Sequence, residues 1–396
     1  MDIFAELFLA LCRALDVVGM GLPGHGQRVT LVAWLAAQEA LPEQAAKLLY
    51  TGLIHDIGLL SEAEFAAEAA SPGAEQRLPP IRQHSIVGAQ LVREFIHHQA
   101  VADIILEHHE RWDGGGYPFG KRGEEMPLES QLFQIADCFD IALRQHQREV
   151  PLREVFSPTE VGPSFSREVY EILLQALSRD EMYQQVRDLV PLSSLLTQVL
   201  ENTASPLGLS AEKDLDAILD LFARIADTKR FYTPGHSQRV ARYSLELAQA
   251  LGLPEAAVRD IARAALVHDI GIIGVPRRIL EAEHSLDPED RAMMQRHPVL
   301  TTLVMNQVTP LRELALIAGY HHTRYDGKGY PEGLAGEEIP LGARIITVAD
   351  AYDALTQPRP YRKRVMTSRE ALQVLRQNSG SQFCPRVVEA ALRVFR

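Results

Sequence analysis

The sequence predicts an all-α protein built as two tandem helical bundles. Three observations support this: apolar residues recur at helical spacing, alternating strand patterns are scarce, and a set of unusual residues occurs twice in the same order. A chain of 396 residues has room for two to three ordinary domains. Its 46% hydrophobic and 23% charged residues form a globular balance, which excludes global disorder. Acidic residues outnumber basic ones 52 to 40, for a formal charge of −12. Such a chain is a poor nonspecific binder of DNA or of an anionic membrane. A phosphate-bearing ligand would therefore need local positive charge, from metals or a few arginines. Cys12, Cys138 and Cys384 are far apart and odd in number, so no disulfide framework is expected, as in a reduced, cytoplasmic protein. The apolar stretch 3–18 is interrupted by Glu6, Arg13 and Asp16, and has neither the length of a membrane span nor the pattern of a signal peptide.

The repeat sets the domain plan. An offset of 213 residues carries His55-Asp56 in GLIHDIGLL to His268-Asp269 in ALVHDIGII. It also carries His84 to His297, His108-His109 to His321-His322, Tyr117-Pro118 to Tyr330-Pro331, Asp137 to Asp350 and Asp140 to Asp353. Upstream, His25 matches His236 at an offset of 211, so a short insertion lies between. Near the ends, GPSFSREVYEILLQAL loosely resembles GSQFCPRVVEAALRVF. One copy is expected over residues 1–178 and the other over 210–396. A helical linker is expected over 179–209, interrupted at Pro191, with its apolar face packed.

Individual elements follow from spacing. Residues 214–227 and 237–252 place apolar side chains one helical turn apart, and the second run stops at Gly252. Residues 343–356 begin with β-favouring side chains, yet continue into an Ala/Asp/Leu pattern with no turn signal. A helix is expected there too.

The histidines and aspartates carry the chemistry. In the second copy, His236, His268, Asp269, His297, His321, His322 and Asp350 lie in or beside apolar helical segments, where an unpaired ionisable group is costly. Sharing cations removes that cost. The first copy repeats the set as His25, His55, Asp56, His84, His108, His109 and Asp137. Imidazole and carboxylate donors without cysteine suit Fe or Mn better than structural zinc, and five imidazoles with two carboxylates suit two ions better than one.

The ordered motifs HDIG, HP, HH, DGKGYP, IPLGARIITVADAYDALT and RPYR resemble those of the HD-GYP family, within the HD metal-dependent phosphohydrolases. The resemblance covers essentially the whole second copy, and the first copy resembles the family more distantly. It implies an all-helical domain with a metal centre of iron or manganese that hydrolyses cyclic di-GMP or a related cyclic dinucleotide. It assigns the seven residues of the second copy as ligands, with Asp269 as the bridge and the catalytic centre. It gives Arg359 and Arg362 the phosphate and guanine contacts, for which a guanidinium is suited. It places Tyr330 in a loop beside substrate, although a packed structural tyrosine is an equal reading. A protein partner at the GYP loop or the first half, and a homodimer, are further expectations.

Departures from the family pattern keep two alternatives open. The lysine that usually follows HDIG is Ile272 here and Leu59 in the first copy, which suits a catalytically impaired nucleotide-sensing or interaction scaffold. An HD scaffold can also host di-iron oxygenase chemistry, against which the GYP and RPYR motifs argue. The HHE of the family is His321-His322-Thr323 in the second copy, whereas the first copy keeps Glu110. The glutamate expected of a three-metal centre is Tyr232 or Gly21, so two metals are expected. The first copy has no RPYR equivalent and is read as a metal-binding or structural partner.

Overall fold

The computed structural model describes residues 1–18, 23–61, 83–146, 148–179, 181–229, 235–280, 282, 284–358 and 364–395. The chain divides into two compact units, Met1–Ala211 and Glu212–Arg396. Both are helical, and the described residues form isolated bridges but no sheet. No helix among them is long and apolar enough to cross a membrane.

In the first unit, α1 (Ile3–Val18) starts where Asp2 accepts the Phe4 and Ala5 amides at 2.9 and 2.8 Å, and is buried on most of its circumference, with Phe4, Leu7, Phe8, Leu9 and Leu11 all in the core. Helix α2 (His25–Ala40) follows Gly24, whose φ of 78° lets the chain turn into the helix. Helix α3 (Ala45–Ile54) packs on α2 at Gly52, where a Cβ would lie 2.5 Å from Thr30 Cα. It runs directly into a 3₁₀ segment, His55–Ser61, that carries HDIG. Then follow α4 (His84–Leu91), α5 (Gln99–Glu107), α6 (Leu128–Gln145) and α7 (Arg167–Leu177).

The stretch expected as a linker contains α8 (Met182–Arg187) and α9 (Leu189–Asn202), and it packs within the first unit. Arg28 Nε donates to the Val186 carbonyl at 2.6 Å, and Leu192, Leu196 and Leu200 are buried. Pro191 lies in the first turn of α9, where its missing N–H breaks no helical bond, so it does not interrupt the helix.

The second unit repeats the plan. It comprises α10 (Ala211–Thr228), α11 (His236–Ala250) after Gly235 at φ 71°, α12 (Glu255–Leu266), a 3₁₀ segment Ile270–Gly274, α13 (Arg277–Leu280), α14 (Pro288–Met294), α15 (His297–Asn306), α16 (Arg312–Gly319), α17 (Leu341–Thr356), α18 (Ser368–Gln377) and α19 (Pro385–Val394). The β-favouring start of residues 343–356 is helical because Ile345, Ile346 and Val348 are fully buried in the bundle, and burial outweighs local propensity.

Candidate metal centres

Each unit gathers six of its seven repeated histidines and aspartates from helix ends and the seventh, an aspartate, from within a helix. In the second unit, His236 begins α11, His268-Asp269 follow α12, His297 begins α15, His321-His322 follow α16, and Asp350 lies on α17. Glycine makes one of these approaches feasible: a Cβ on Gly271 of HDIG would lie 2.0 Å from the His297 carbonyl oxygen, and Gly58 stands the same way to His84. Thr301 Oγ1, one turn beyond His297, donates to the His268 carbonyl at 2.9 Å and accepts the Gly271 amide at 3.0 Å.

Asp269 stands between two groups. Its Oδ2 lies 3.3 Å from His268 Nε2 and 3.6 Å from His236 Nε2, whereas Oδ1 lies 3.2 Å from His297 Nε2 and 3.6 Å from His321 Nε2. Asp350 Oδ1 is 3.4 Å from His236 Nε2. The donors form one triad of His236, His268 and Asp350 and another of His297, His321 and His322, each within 4.8 Å. The first unit has the matching triads, His25/His55/Asp137 and His84/His108/His109. Asp56 Oδ2 there faces His25 and His55 at 3.4 and 3.3 Å, and Oδ1 faces His84 at 3.6 Å.

The orientation of the rings fits a cation. Nδ1 of His268, His297 and His321 each donates to the carbonyl three residues earlier, at 2.6, 2.7 and 2.6 Å. A neutral imidazole that donates from Nδ1 carries its lone pair on Nε2. Nε2 of His297 and Nε2 of His321 face each other at 3.3 Å; with both rings in the neutral form that donates from Nδ1, two lone pairs would meet there, and a shared cation relieves that meeting. The buried Nε2 atoms of His55, His236 and His268 make no hydrogen bond. Burial and the neighbouring imidazoles hold His321 well below its ordinary pKa and His322 at about 3, so both stay neutral. Burial also lowers His236, but the hydrogen bond to Asp353 and the negative charges of Asp269 and Asp350 outweigh it and raise the group to about 9.

The motif residues around the clusters have visible tasks. Tyr330 lies against the His322 ring, 4.9 Å between centroids, and its amide donates to the His322 carbonyl at 3.3 Å. Tyr117 stacks on His109 at 4.8 Å. Glu110, fully buried, accepts the amides of Phe119 and Lys121 at 2.6 and 2.9 Å, so in the first unit the HHE glutamate holds the GYP loop. Thr323 is too short for that bridge. Ile272 is fully buried in an apolar cluster with Val275, Ile279 and Leu280. Arg359 and Arg362, with the rest of RPYR, lie outside the described residues, as do Tyr232 and Gly21.

Sequence reading missed several supporting residues. Asp353 accepts His236 Nδ1 at 2.8 Å and Arg239 Nε at 2.6 Å; Asp140 accepts His25 Nδ1 at 2.7 Å and also binds Arg28. Asp227 holds the Ser237 amide as Asp16 holds that of Gly26, fixing the helix starts that carry His236 and His25. The repeat offsets already paired Asp140 with Asp353 and pair Asp16 with Asp227, a signal that was available.

Paired imidazole clusters around a His-Asp dipeptide, on all-helical bundles, define an HD-type metal-dependent phosphohydrolase fold. The chain belongs to the HD domain family, whose model matches residues 16–154 and 220–387. It is 35% identical over 305 residues to the 3′3′-cGAMP-specific phosphodiesterase 3 of Vibrio cholerae, covering 75% of this chain and 64% of that relative, so it spans less than two thirds of that protein. It is 31% identical over 295 residues to a cyclic di-GMP phosphodiesterase of Pseudomonas aeruginosa, covering 72% and 70% of the two chains. The crystal structure of a cyclic GMP-AMP-specific phosphodiesterase of V. cholerae superposes with a TM-score of 0.68 at 26% identity, covering 98% of this chain and 97% of that one.

Proposed function

We propose that this protein is a metal-dependent phosphodiesterase that hydrolyses cyclic di-GMP or a related 3′,3′-linked cyclic dinucleotide, with its chemistry in the second half. The observation that carries this reading is Asp269, whose two oxygens face two separate groups of imidazoles. That arrangement suits a carboxylate shared by two cations. The donors are imidazole and carboxylate, which favour Fe or Mn. Such ions, when bound, polarise phosphoryl oxygens and lower the pKa of a coordinated water. His236, His268 and Asp350 would hold one ion, His297, His321 and His322 the other, with Asp269 spanning both. The carbonyl partners and Asp353 keep the proton on Nδ1 and so leave Nε2 available. Arg359 and Arg362 would orient the nucleotide phosphates, and Tyr330 would hold the His322 ring and line the substrate side. His25, His55, Asp56, His84, His108, His109 and Asp137 would form a second metal-binding set.

The test is to incubate Mn- or Fe-loaded protein with cyclic di-GMP and with 3′,3′-cGAMP and to separate the products. Linear dinucleotide or mononucleotide should appear, and Asp269→Asn should abolish it. Tight binding without turnover would favour the scaffold reading, which the burial of Ile272 in place of a phosphate-facing lysine supports.

A further inference from the structure

We propose that the first half carries a binding site of its own for a phosphate monoester the size of one nucleotide. The inference rests on the reading that the first-half cluster holds metal. A cavity of about 230 Å³ is lined by His108 and His109 of one triad and by Asp137 of the other, and His109 Nδ1 lies 3.8 Å from Asp137 Oδ2. Donors of both triads thus border one cavity, and its floor is the edge of the cluster, which suits a phosphoryl group. Its volume lies below the roughly 300–1,000 Å³ of pockets that enclose drug-sized ligands, so the guest is small.

The walls limit the charge of the guest. Arg111 is the one cation lining the cavity among the described residues, and Asp113 binds its Nε and Nη2 at 3.2 and 2.9 Å. Glu160 adds a carboxylate to the same wall. A second phosphate away from the floor would meet a committed guanidinium and an anion. A cyclic dinucleotide carries two phosphodiesters; a monoester places its only phosphate on the floor.

The remaining wall reads the rest of a nucleoside. Gln134 donates one N–H to Cys138 Sγ at 3.1 Å and keeps its carbonyl oxygen and second N–H for hydroxyls or a base edge. Gln145 offers a whole carboxamide, and Glu160, one oxygen of which accepts the Ser157 amide at 2.7 Å, adds an acceptor. The second half does not repeat them. At the 213-residue offset Gln134 becomes Thr347, whose hydroxyl donates to the His321 carbonyl at 2.7 Å, and Gln145 becomes Pro358. The two halves thus differ in ligand chemistry while repeating the donors. Hydrolysis of a cyclic diester leaves a phosphomonoester end, so the chemistry this site takes is that of the product.

The experiment titrates the full-length, Mn-loaded protein with GMP by calorimetry. One site per chain should survive Asp269→Asn and weaken at least tenfold in Gln134→Ala and Gln145→Glu. Both first-half variants should retain their Mn content and their rate on cyclic di-GMP. Gln145 is exposed, so its substitution does not threaten folding. GMP affinity that ignores both glutamine variants, or is lost with Asp269→Asn, would overturn the inference. Protein that hydrolyses cyclic di-GMP and holds metal in both halves yet binds no GMP overturns it alone. Absence of metal from both halves overturns the underlying reading as well.

Discussion

Asp353 accepts a hydrogen bond from Nδ1 of His236 at 2.8 Å, and it does so fully buried. Burial alone would raise the carboxyl; the bonds from His236 and Arg239 outweigh it and hold Asp353 ionised. The pair fixes which nitrogen of His236 carries the proton. Asp353→Asn keeps the size and removes the charge. It should weaken metal retention about ten- to a hundredfold in a chelator competition, with helicity unchanged.

Gly271 gives a steric prediction. Alanine there must move the His297 carbonyl or the HDIG turn, because its Cβ would sit 2.0 Å away. Displacing catalytic groups by an ångström costs about a hundredfold in rate. Gly271→Ala should lose at least that much hydrolysis, whereas Gly58→Ala, which strains the first half, should leave the rate largely intact.

Ile272 tests whether the family lysine can be put back. Its side chain is closed within an apolar cluster, so Ile272→Lys would bury an unpaired ammonium. The variant should unfold at lower denaturant, by a few kcal/mol, with no gain in hydrolysis. A large gain in rate at undiminished stability would show that this side chain reaches substrate.

Lys229 sets a pH dependence of stability. It is buried, donates to the Ile273 carbonyl, and is lowered by burial from 10.5 to about 7. The unfolded chain keeps this proton up to about 10.5 while the folded chain releases it near 7. Stability from this group is therefore lowest below pH 7 and rises from there to pH 10.5. Denaturant melts should show Lys229→Met more stable than the parent at pH 6, with the difference shrinking by pH 10.

Glu110 is structural in the first half. Glu110→Ala would remove the buried carboxylate that accepts the amides of Phe119 and Lys121. A loss of about 1–3 kcal/mol in unfolding free energy is expected. Hydrolysis by the second half should be unchanged.

Much of this was legible in the linear order of residues. Constant offsets are insensitive to folding, so the duplication and all fourteen candidate donors could be found without coordinates. Helical spacing likewise exposed α10 and α11, because amphipathic periodicity is a local property, whereas α17 was read as a helix from its Ala/Asp/Leu continuation and the lack of a turn signal, against a β-favouring start. The ends were harder. The loose likeness of the two terminal segments hides one shared turn: Trp112 and Asp113 donate to Ser164 and Pro163, as Tyr325 and Asp326 donate to Gln382 and Ser381. Those bonds use backbone atoms, which leave little trace in side-chain identity.

The amino-acid order by itself determined the tandem helical plan and the residue types able to hold cations, since both depend on periodicity and donor chemistry. Only the tertiary structure decided that Asp269 divides its oxygens between two groups of imidazoles, that Asp353 orients one ring, and that Ile272 turns into the core. Those are relations between segments up to 117 residues apart, fixed by how helices pack and by where a missing Cβ lets two backbones meet.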